Sequence, residues 1–258
     1  MPDSGRRLIP AAAIAVACSG LLATSAFAAP IDGTHGNDRI RGTAQGDVIT
    51  AREGDDRVFA RRGGDSVDLG PGADRAFGMR GGDSIFGGPG PDRIWGNRGD
   101  DTLRGDADGV GDLVSQDRLF GGPGDDTASG GDGRDFMAGG FGDDTQDGGA
   151  GDDTIFANQG RDHTEGGDGD DRLWALSLKD VDGPNDTAGD LVRGGNGNDR
   201  IAVRDGEADV VNCGPGIDKA ILDFKDTVED GSCEVVSRRA PSRADSRVED
   251  RNDGSDES

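Results

Sequence analysis

A nine-residue repeat occupies most of the sequence and restricts what the chain can fold into. From Gly33 onward, units of the form Gly-Gly-x-Gly-x-Asp-x-U-x follow one another, where U is apolar. Clean copies occupy 87–95, 121–129, 148–156, 166–174 and 194–202. The glycines allow the positive φ angles of a tight turn, and the last three residues form a minimal strand with one side chain facing in. Each unit therefore predicts a turn followed by a strand.

The repeat also carries a longer period of eighteen residues. With units counted from Gly33, the seventh position is mostly arginine in odd units and mostly serine or threonine in even units. The ninth position is aromatic in many odd units and rarely so in even units. This alternation continues past two lengthened units, around 105–116 and 175–189. It predicts two strands per coil of an all-β parallel solenoid, a β-roll, over residues 33–202.

The array resembles the RTX (hemolysin-type) calcium-binding nonapeptide family over roughly residues 33–220. In that family calcium ions lie between turns stacked on the same side, that is, between unit n and unit n+2. The resemblance implies several bound Ca²⁺ ions and nominates pairs such as Asp74 with Asp92, Asp126 with Asp144, Asp135 with Asp153, and Asp153 with Asp171. The predicted calcium ligands are the sixth-position aspartates: Asp38, Asp47, Asp56, Asp65, Asp74, Asp83, Asp92, Asp101, Asp117, Asp126, Asp135, Asp144, Asp153, Asp162, Asp171, Asp190 and Asp199.

Composition and charge agree with a chain that needs a cation to fold. There are 48 glycines and only 31% hydrophobic residues, so an ordinary globular core is out of reach. The formal net charge of −24 argues against nucleic acid and anionic membranes as partners. Burying one aliphatic side chain per unit contributes roughly 1.5–3 kcal/mol, whereas fixing nine backbone residues costs roughly 1–2 kcal/mol each. We therefore expect the repeats to fold on binding calcium.

The N-terminus predicts export. Arg6 and Arg7 precede an apolar stretch that ends in Ala26-Phe27-Ala28, so residues 1–28 are interpreted as a signal peptide and the protein as secreted. No later segment is apolar enough to span a bilayer. An alternative is a lipid anchor through Cys18. RTX proteins are typically secreted in one step through a C-terminal signal, so the family's route does not carry over.

The C-terminal part departs from the repeat. Residues 203–237 resemble the end segment of exported RTX-like proteins and are predicted to be a cap. Cys213 and Cys233 are expected to form a disulfide in an oxidising compartment. Residues 238–258 have almost no apolar content and are predicted to be a disordered tail.

Some units are irregular. Gln146 and Thr164 occupy inward positions, Ala76 and Ala128 are small there, and Gln45 and Ser115 replace the fourth-position glycine; these units are expected to bind or pack less well. The lengthened units contain Asp106-x-Asp108-Gly109 and Asp180-x-Asp182-Gly183. We interpret them as solvated acidic loops, with an additional calcium loop as the alternative.

The leading function is extracellular calcium binding. His35 and His163 cannot assemble a catalytic triad or zinc site, so no enzyme activity is expected. The alternative is a calcium-stabilised adhesion protein that binds a glycan or cell-wall polymer through the odd-unit face. That face would carry an outward stacked ladder of rings beside a basic stripe: Phe59, Phe77, Trp95 and Phe120 with Arg57, Arg75, Arg93 and Arg118.

Overall fold

The computed structural model describes residues 30–106, 115–175, 189–229 and 232–240. The predicted signal peptide, most of the predicted tail and most of both lengthened units lie outside these ranges. The strands in chain order are β1 (Ile31–Asp32), β2 (Arg39–Arg41), β3 (Val48–Thr50), β4 (Arg57–Arg62), β5 (Ser66–Asp68), β6 (Arg75–Arg80), β7 (Ser84–Phe86), β8 (Arg93–Arg98), β9 (Thr102–Arg104), β10 (Arg118–Pro123), β11 (Thr127–Asp132), β12 (Phe136–Phe141), β13 (Thr145–Ala150), β14 (Thr154–Gln159), β15 (His163–Asp168), β16 (Arg172–Ala175), β17 (Leu191–Asn196), β18 (Arg200–Val203), β19 (Val210–Asn212), β20 (Lys219–Leu222), β21 (Thr227–Val228) and β22 (Val235–Arg238).

These strands form two parallel sheets of eleven strands each. The odd-unit sheet contains β2, β4 and so on to β22, and the even-unit sheet contains β1, β3 and so on to β21. Each strand pairs with the strand one coil away, so Arg57 lies beside Arg75 and Phe59 beside Phe77. The register is kept across both lengthened units, where Arg93 pairs with Arg118 and Arg172 with Arg200. The predicted β-roll with two strands per coil is confirmed.

The core is a thin apolar layer between the two sheets. Eighth-position side chains such as Ile49, Ile94 and Ile155 are fully buried there, as predicted. First-position side chains also enter the core: on β4, the eighth-position Val58 and the first-position Ala60 are both 0% exposed. These two residues are two apart on one strand and therefore share a face. The core thus has two inward positions per unit, where the sequence indicated one.

The irregular inward residues lie where the sequence placed them. Gln146 on β13 and Thr164 on β15 are buried side by side in the even-unit sheet. The side-chain amide of Gln146 and the hydroxyl of Thr164 have no hydrogen-bond partner. Because an unpaired buried polar group costs stability, these two coils are a weak point of the core.

The region predicted to be a cap continues the solenoid. Strands β19 to β22 extend both sheets, and β22 runs to Arg238, one residue beyond the predicted boundary. Cys213 and Cys233 form a disulfide, with their Cα atoms 5.2 Å apart. Among the described residues, no helix has the length and apolar character needed to cross a membrane.

Candidate metal sites

The sixth-position aspartates form two ladders, one along each row of turns. In each ladder the backbone N–H of one aspartate donates to Oδ1 of the aspartate one coil further on. The pairs nominated from the sequence are joined in this way: Asp74 to Asp92, Asp126 to Asp144, Asp135 to Asp153 and Asp153 to Asp171, at 2.7 to 2.8 Å. The ladder crosses the first lengthened unit without a break, since the N–H of Asp92 donates to Asp117 at 2.8 Å. Each aspartate therefore ties two neighbouring turns together through one oxygen.

The other carboxylate oxygen, Oδ2, is buried in most of these aspartates and accepts no hydrogen bond. The aspartates with such an oxygen are Asp56, Asp65, Asp74, Asp83, Asp92, Asp101, Asp117, Asp126, Asp135, Asp144, Asp153, Asp171 and Asp199. A buried carboxylate oxygen without a donor is costly unless a positive charge balances it. The repetition of this feature along both ladders indicates a ligand in the turns.

Backbone carbonyl oxygens lie in the same turns. At Gly87 a Cβ atom would lie 2.4 Å from Oδ2 of Asp92 and 2.9 Å from the carbonyl oxygen of Gly105. At Gly90, where φ is +120°, a Cβ would lie within 2 Å of the carbonyl oxygen of Gly72, one coil earlier. The glycines therefore leave space in which carboxylate and carbonyl oxygens approach one another. An all-oxygen donor set of this kind fits Ca²⁺, which takes carboxylate and carbonyl ligands.

Burial also changes the protonation of the ladder. It raises the pKa of Asp92 to about 9 and that of Asp144 to about 8, and the neighbouring ladder carboxylates add to the effect. Towards the ends of the array the same burial raises the pKa of Asp56 and Asp199 to about 6. Without a cation, the ionised form of the ladder carboxylates is therefore disfavoured at neutral pH.

Comparison with known proteins places the chain in a family. The sequence profile of the RTX calcium-binding nonapeptide repeat, which spans four copies, matches residues 32–67, 77–109, 115–146, 147–177 and 186–207. The chain belongs to this family. No curated protein matches it. Among solved structures, one match is a hyperactive, Ca²⁺-dependent, β-helical antifreeze protein from an Antarctic bacterium, with 17% identity and a TM-score of 0.32, covering 85% of this chain and 89% of that one.

Both aspartate ladders of the RTX array extend beyond the last aspartates predicted from the sequence. Asp218 continues the odd-unit ladder, accepting from the N–H of Asp199 at 2.8 Å, and Asp209 continues the even-unit ladder, accepting from Asp190 at 2.8 Å. Neither residue was among the predicted ligands. A signal was present in both cases, because Gly216-Ile217-Asp218 and Glu207-Ala208-Asp209 keep the aspartate directly before a strand.

Two irregular RTX units differ from the regular turn. The hydroxyl of Ser115 donates to the carbonyl oxygen of Gly90 at 3.0 Å, so it engages an oxygen of the neighbouring turn. Asp106, predicted to belong to a solvated loop, is instead fully buried. Its charge contributes to the raised pKa of Asp92, Asp117 and Asp135, which places it beside the odd-unit ladder. The rest of both predicted acidic loops, apart from Gly105, Ser115, Gln116, Ala175 and Gly189, lies outside the described residues.

The aromatic ladder forms, and it is longer than predicted. The ring centroids of Phe59, Phe77, Trp95 and Phe120 lie 5.1, 4.7 and 5.4 Å apart in sequence, with nearly parallel planes. The stack continues through Phe136, Phe156 and Trp174. Phe136 lies at the seventh position, outside the aromatic ninth position of the odd units. Phe156 and Trp174 lie at that ninth position but were not included in the predicted ladder.

The ladder is less exposed than an outward platform would be. Trp95 and Phe156 are each 4% exposed, while Phe59 and Phe77 are half-buried. The guanidinium of Arg57 lies 5.0 Å from the Phe59 ring and 5.5 Å from the Phe77 ring, within reach of a cation–π contact. The predicted basic stripe of Arg57, Arg75, Arg93 and Arg118 runs in register beside the rings.

The two histidines lie in different coils, His35 exposed and His163 half-buried. Nδ1 of His35 is 3.6 Å from Oε2 of Glu53, and Nε2 of His163 is 2.9 Å from Nη1 of Arg193. Each histidine therefore contacts one charged side chain, and the two do not meet.

Proposed function

We propose that this chain is an exported calcium-binding protein whose turns take up several Ca²⁺ ions and which folds as they bind. The observation that carries the proposal is the series of buried Oδ2 oxygens without a hydrogen-bond donor, repeated along both ladders. Membership of the RTX calcium-binding repeat family supports it. Secretion of the mature chain is proposed from the N-terminal residues alone.

The two oxygens of each ladder carboxylate have different roles. Oδ1 holds the N–H of the neighbouring turn, as in the bond from Asp126 to Asp144, and so fixes the side chain without using Oδ2. Oδ2 and the turn carbonyls then present a rigid set of oxygen ligands. A bound calcium ion supplies the positive charge that lets these carboxylates stay ionised inside the turn.

Asp144→Asn tests this division. Asparagine keeps Oδ1 as an acceptor for the N–H of Asp126 but replaces the anionic Oδ2 by an amide. Because calcium affinity follows the charge of the ligands, we expect the calcium concentration at the folding midpoint to rise on the order of 3- to 10-fold. Far-UV circular dichroism during a calcium titration measures this midpoint.

Asp143→Asn is the matched control. Asp143 is the preceding residue, is exposed, and accepts from the N–H of Arg161 through Oδ1 at 3.1 Å. The substitution changes the same atoms and the same net charge. The midpoint of this variant should stay close to that of the wild type. Equal shifts in the two variants would mean that overall charge, rather than the ladder, controls folding.

A second candidate function is adhesion through the odd-unit face. The half-buried rings of Phe59 and Phe77 with the Arg57 guanidinium beside them favour it, and the burial of Trp95 weighs against it. The ligand would be a glycan or an anionic cell-wall polymer. Such a role would use calcium only to hold the face in shape.

Phe77→Thr separates a structural ladder from a binding platform. It removes two stacked contacts, to Phe59 and Trp95, each contributing about 0.5–1.5 kcal/mol. We expect a lower melting temperature in calcium and unchanged retention on cell-wall polymer or glycan resins. Phe141→Thr, at an exposed phenylalanine outside the ladder, should leave the melting temperature nearly unchanged. Loss of retention with an unaltered melting temperature would favour adhesion instead.

A further inference from the structure

The turn between β18 and β19 differs from every regular turn in its side chains. It reads Arg204-Asp205-Gly206-Glu207-Ala208-Asp209 and lacks the paired glycines of the repeat. Asp205 is 3% exposed and Asp209 is 0% exposed, so both carboxylates point away from solvent. The turn therefore brings acidic side chains into the space that glycine backbone occupies elsewhere.

Three carboxylates come together at this turn. Asp190, Asp205 and Asp209 each contribute a carboxylate oxygen, and these oxygens lie within 4.8 Å of one another. Among the described residues, this is the one place where three acidic side chains lie close enough together to hold a single metal ion. We call these three residues the cap carboxylate cluster.

A second observation points to a ligand in the cluster. Oδ1 of Asp209 accepts the N–H of Asp190 at 2.8 Å, but Oδ2 of Asp209 is buried with no hydrogen-bond donor. Oδ1 of Asp205 is held by the N–H of Glu207 at 2.9 Å. The cluster is thus fixed by backbone donors and still has an oxygen that the protein does not satisfy.

We infer that the cap carboxylate cluster is a separate calcium site, tighter than the sites in the regular turns. A regular turn pair offers two ladder carboxylates, whereas the cluster adds the third from Asp205. Affinity for Ca²⁺ rises with the number of charged ligands and with the rigidity of the site. The inference rests on the proposed function, because Asp190 and Asp209 belong to the even-unit ladder, and it goes beyond that function because the third ligand, Asp205, comes from outside the repeat.

The proposed site lies next to the disulfide, at the C-terminal end of the array. Asp190 precedes β17 and Asp209 precedes β19, so an ion in the cluster joins two neighbouring strands of the even-unit sheet. Cys213 lies just beyond β19 and is bonded to Cys233. The ion and the disulfide therefore act on adjacent coils at the C-terminal end of the array.

Nearby lysine offers a rival source of positive charge. The ammonium of Lys225 donates to the carbonyl oxygen of Gly206, between Asp205 and Glu207 in sequence. If this ammonium alone balances the cluster, no cation binds there. The number of ions held by the chain distinguishes these two arrangements.

The test counts calcium ions per chain at a series of buffered free-calcium concentrations, by equilibrium dialysis and elemental analysis. In the wild type, one ion should remain at a concentration at least 10-fold below that which releases the others. Asp205→Asn should lose this tight ion while still folding in millimolar calcium. Asp68→Asn, which removes an exposed carboxylate on β5, should keep it.

The outcomes separate the cap site from the ladder sites. Release of all wild-type ions in one concentration range, or an Asp205→Asn variant with the same count as the wild type at every concentration, would overturn the cap site. A wild type that binds one ion in total, lost in Asp205→Asn, would support the cap site and overturn the proposed binding in the regular turns. The wild-type release profile decides the matter even if the variant does not fold.

Discussion

Gly151→Ala should disrupt the centre of the array. Gly151 has φ of +137°, and a Cβ placed on it would overlap the carbonyl oxygen of Gly133 in the neighbouring coil. A side chain at such a φ costs about 1–3 kcal/mol before any overlap is counted. Relieving the overlap requires the two coils to separate, which also breaks the bond from the Gly133 N–H to the carbonyl of Ala150.

The expected loss is therefore about 3 kcal/mol or more, which lowers the melting temperature in calcium by about 6–12 °C for a chain of this size. Because each coil contacts only its neighbours, the break should also make unfolding less cooperative. Thermal denaturation followed by circular dichroism measures both effects.

Gly36→Ala is the control for this substitution. Gly36 holds the same fourth position in the first unit, but its φ is not positive and a Cβ there would meet nothing within 4 Å. Its melting temperature should stay within about 2 °C of the wild type, as for an ordinary surface change. Equal and small losses in both variants would show that the turns are looser than the structure indicates.

The coil and the register of this fold could be predicted from the sequence. At the seventh position, arginine alternates with serine or threonine, and this alternation predicts two different sheets. Side chains that repeat every eighteen residues lie on one face of one sheet. The stacking of Phe59, Phe77, Trp95 and Phe120 followed from the same register. In a parallel solenoid, equal positions in successive coils are direct neighbours.

The burial of other side chains could not be predicted, because it depends on the local backbone path and packing rather than on the repeat pattern. Ala60 is buried, and so are Ala51 and Leu69 at the same first position of their units, because the chain still directs this side chain inward where the repeat pattern places the start of the turn. The burial of Trp95 depends on how closely neighbouring rings stack. Composition alone indicated a solvated loop around Asp106, whereas the residue is buried beside the odd-unit ladder.

The candidate site was predictable in part. The nominated aspartate pairs are neighbours in space, since both ladders follow from the two-strand coil. The division between a bonded Oδ1 and an unsatisfied Oδ2 could not be read from residue types. The meeting of Asp205 with Asp190 and Asp209 was equally hidden, because it depends on how an irregular turn folds back.

The pKa values of the ladder carboxylates set the pH at which calcium-dependent folding is best measured. Burial raises the pKa of Asp117 to about 8 and that of Asp135 to about 7, well above the ordinary value of 3.8. Such groups favour the calcium-free fold below about pH 4, and this contribution is lost as pH rises through the raised pKa values. Above them, at about pH 8.5, calcium-free protein has most of its ladder charge unbalanced.

Far-UV circular dichroism during a calcium titration at about pH 8.5 is the most direct test. Chelated protein should give a coil-like spectrum that becomes β-rich between about 10⁻⁴ and 10⁻³ M calcium, the range typical of extracellular modules. Magnesium should be much less effective, since it requires a tighter octahedral site and gives up water reluctantly. A chelated protein that is already fully β-rich, and whose spectrum and melting temperature do not respond to calcium, would contradict calcium-dependent folding.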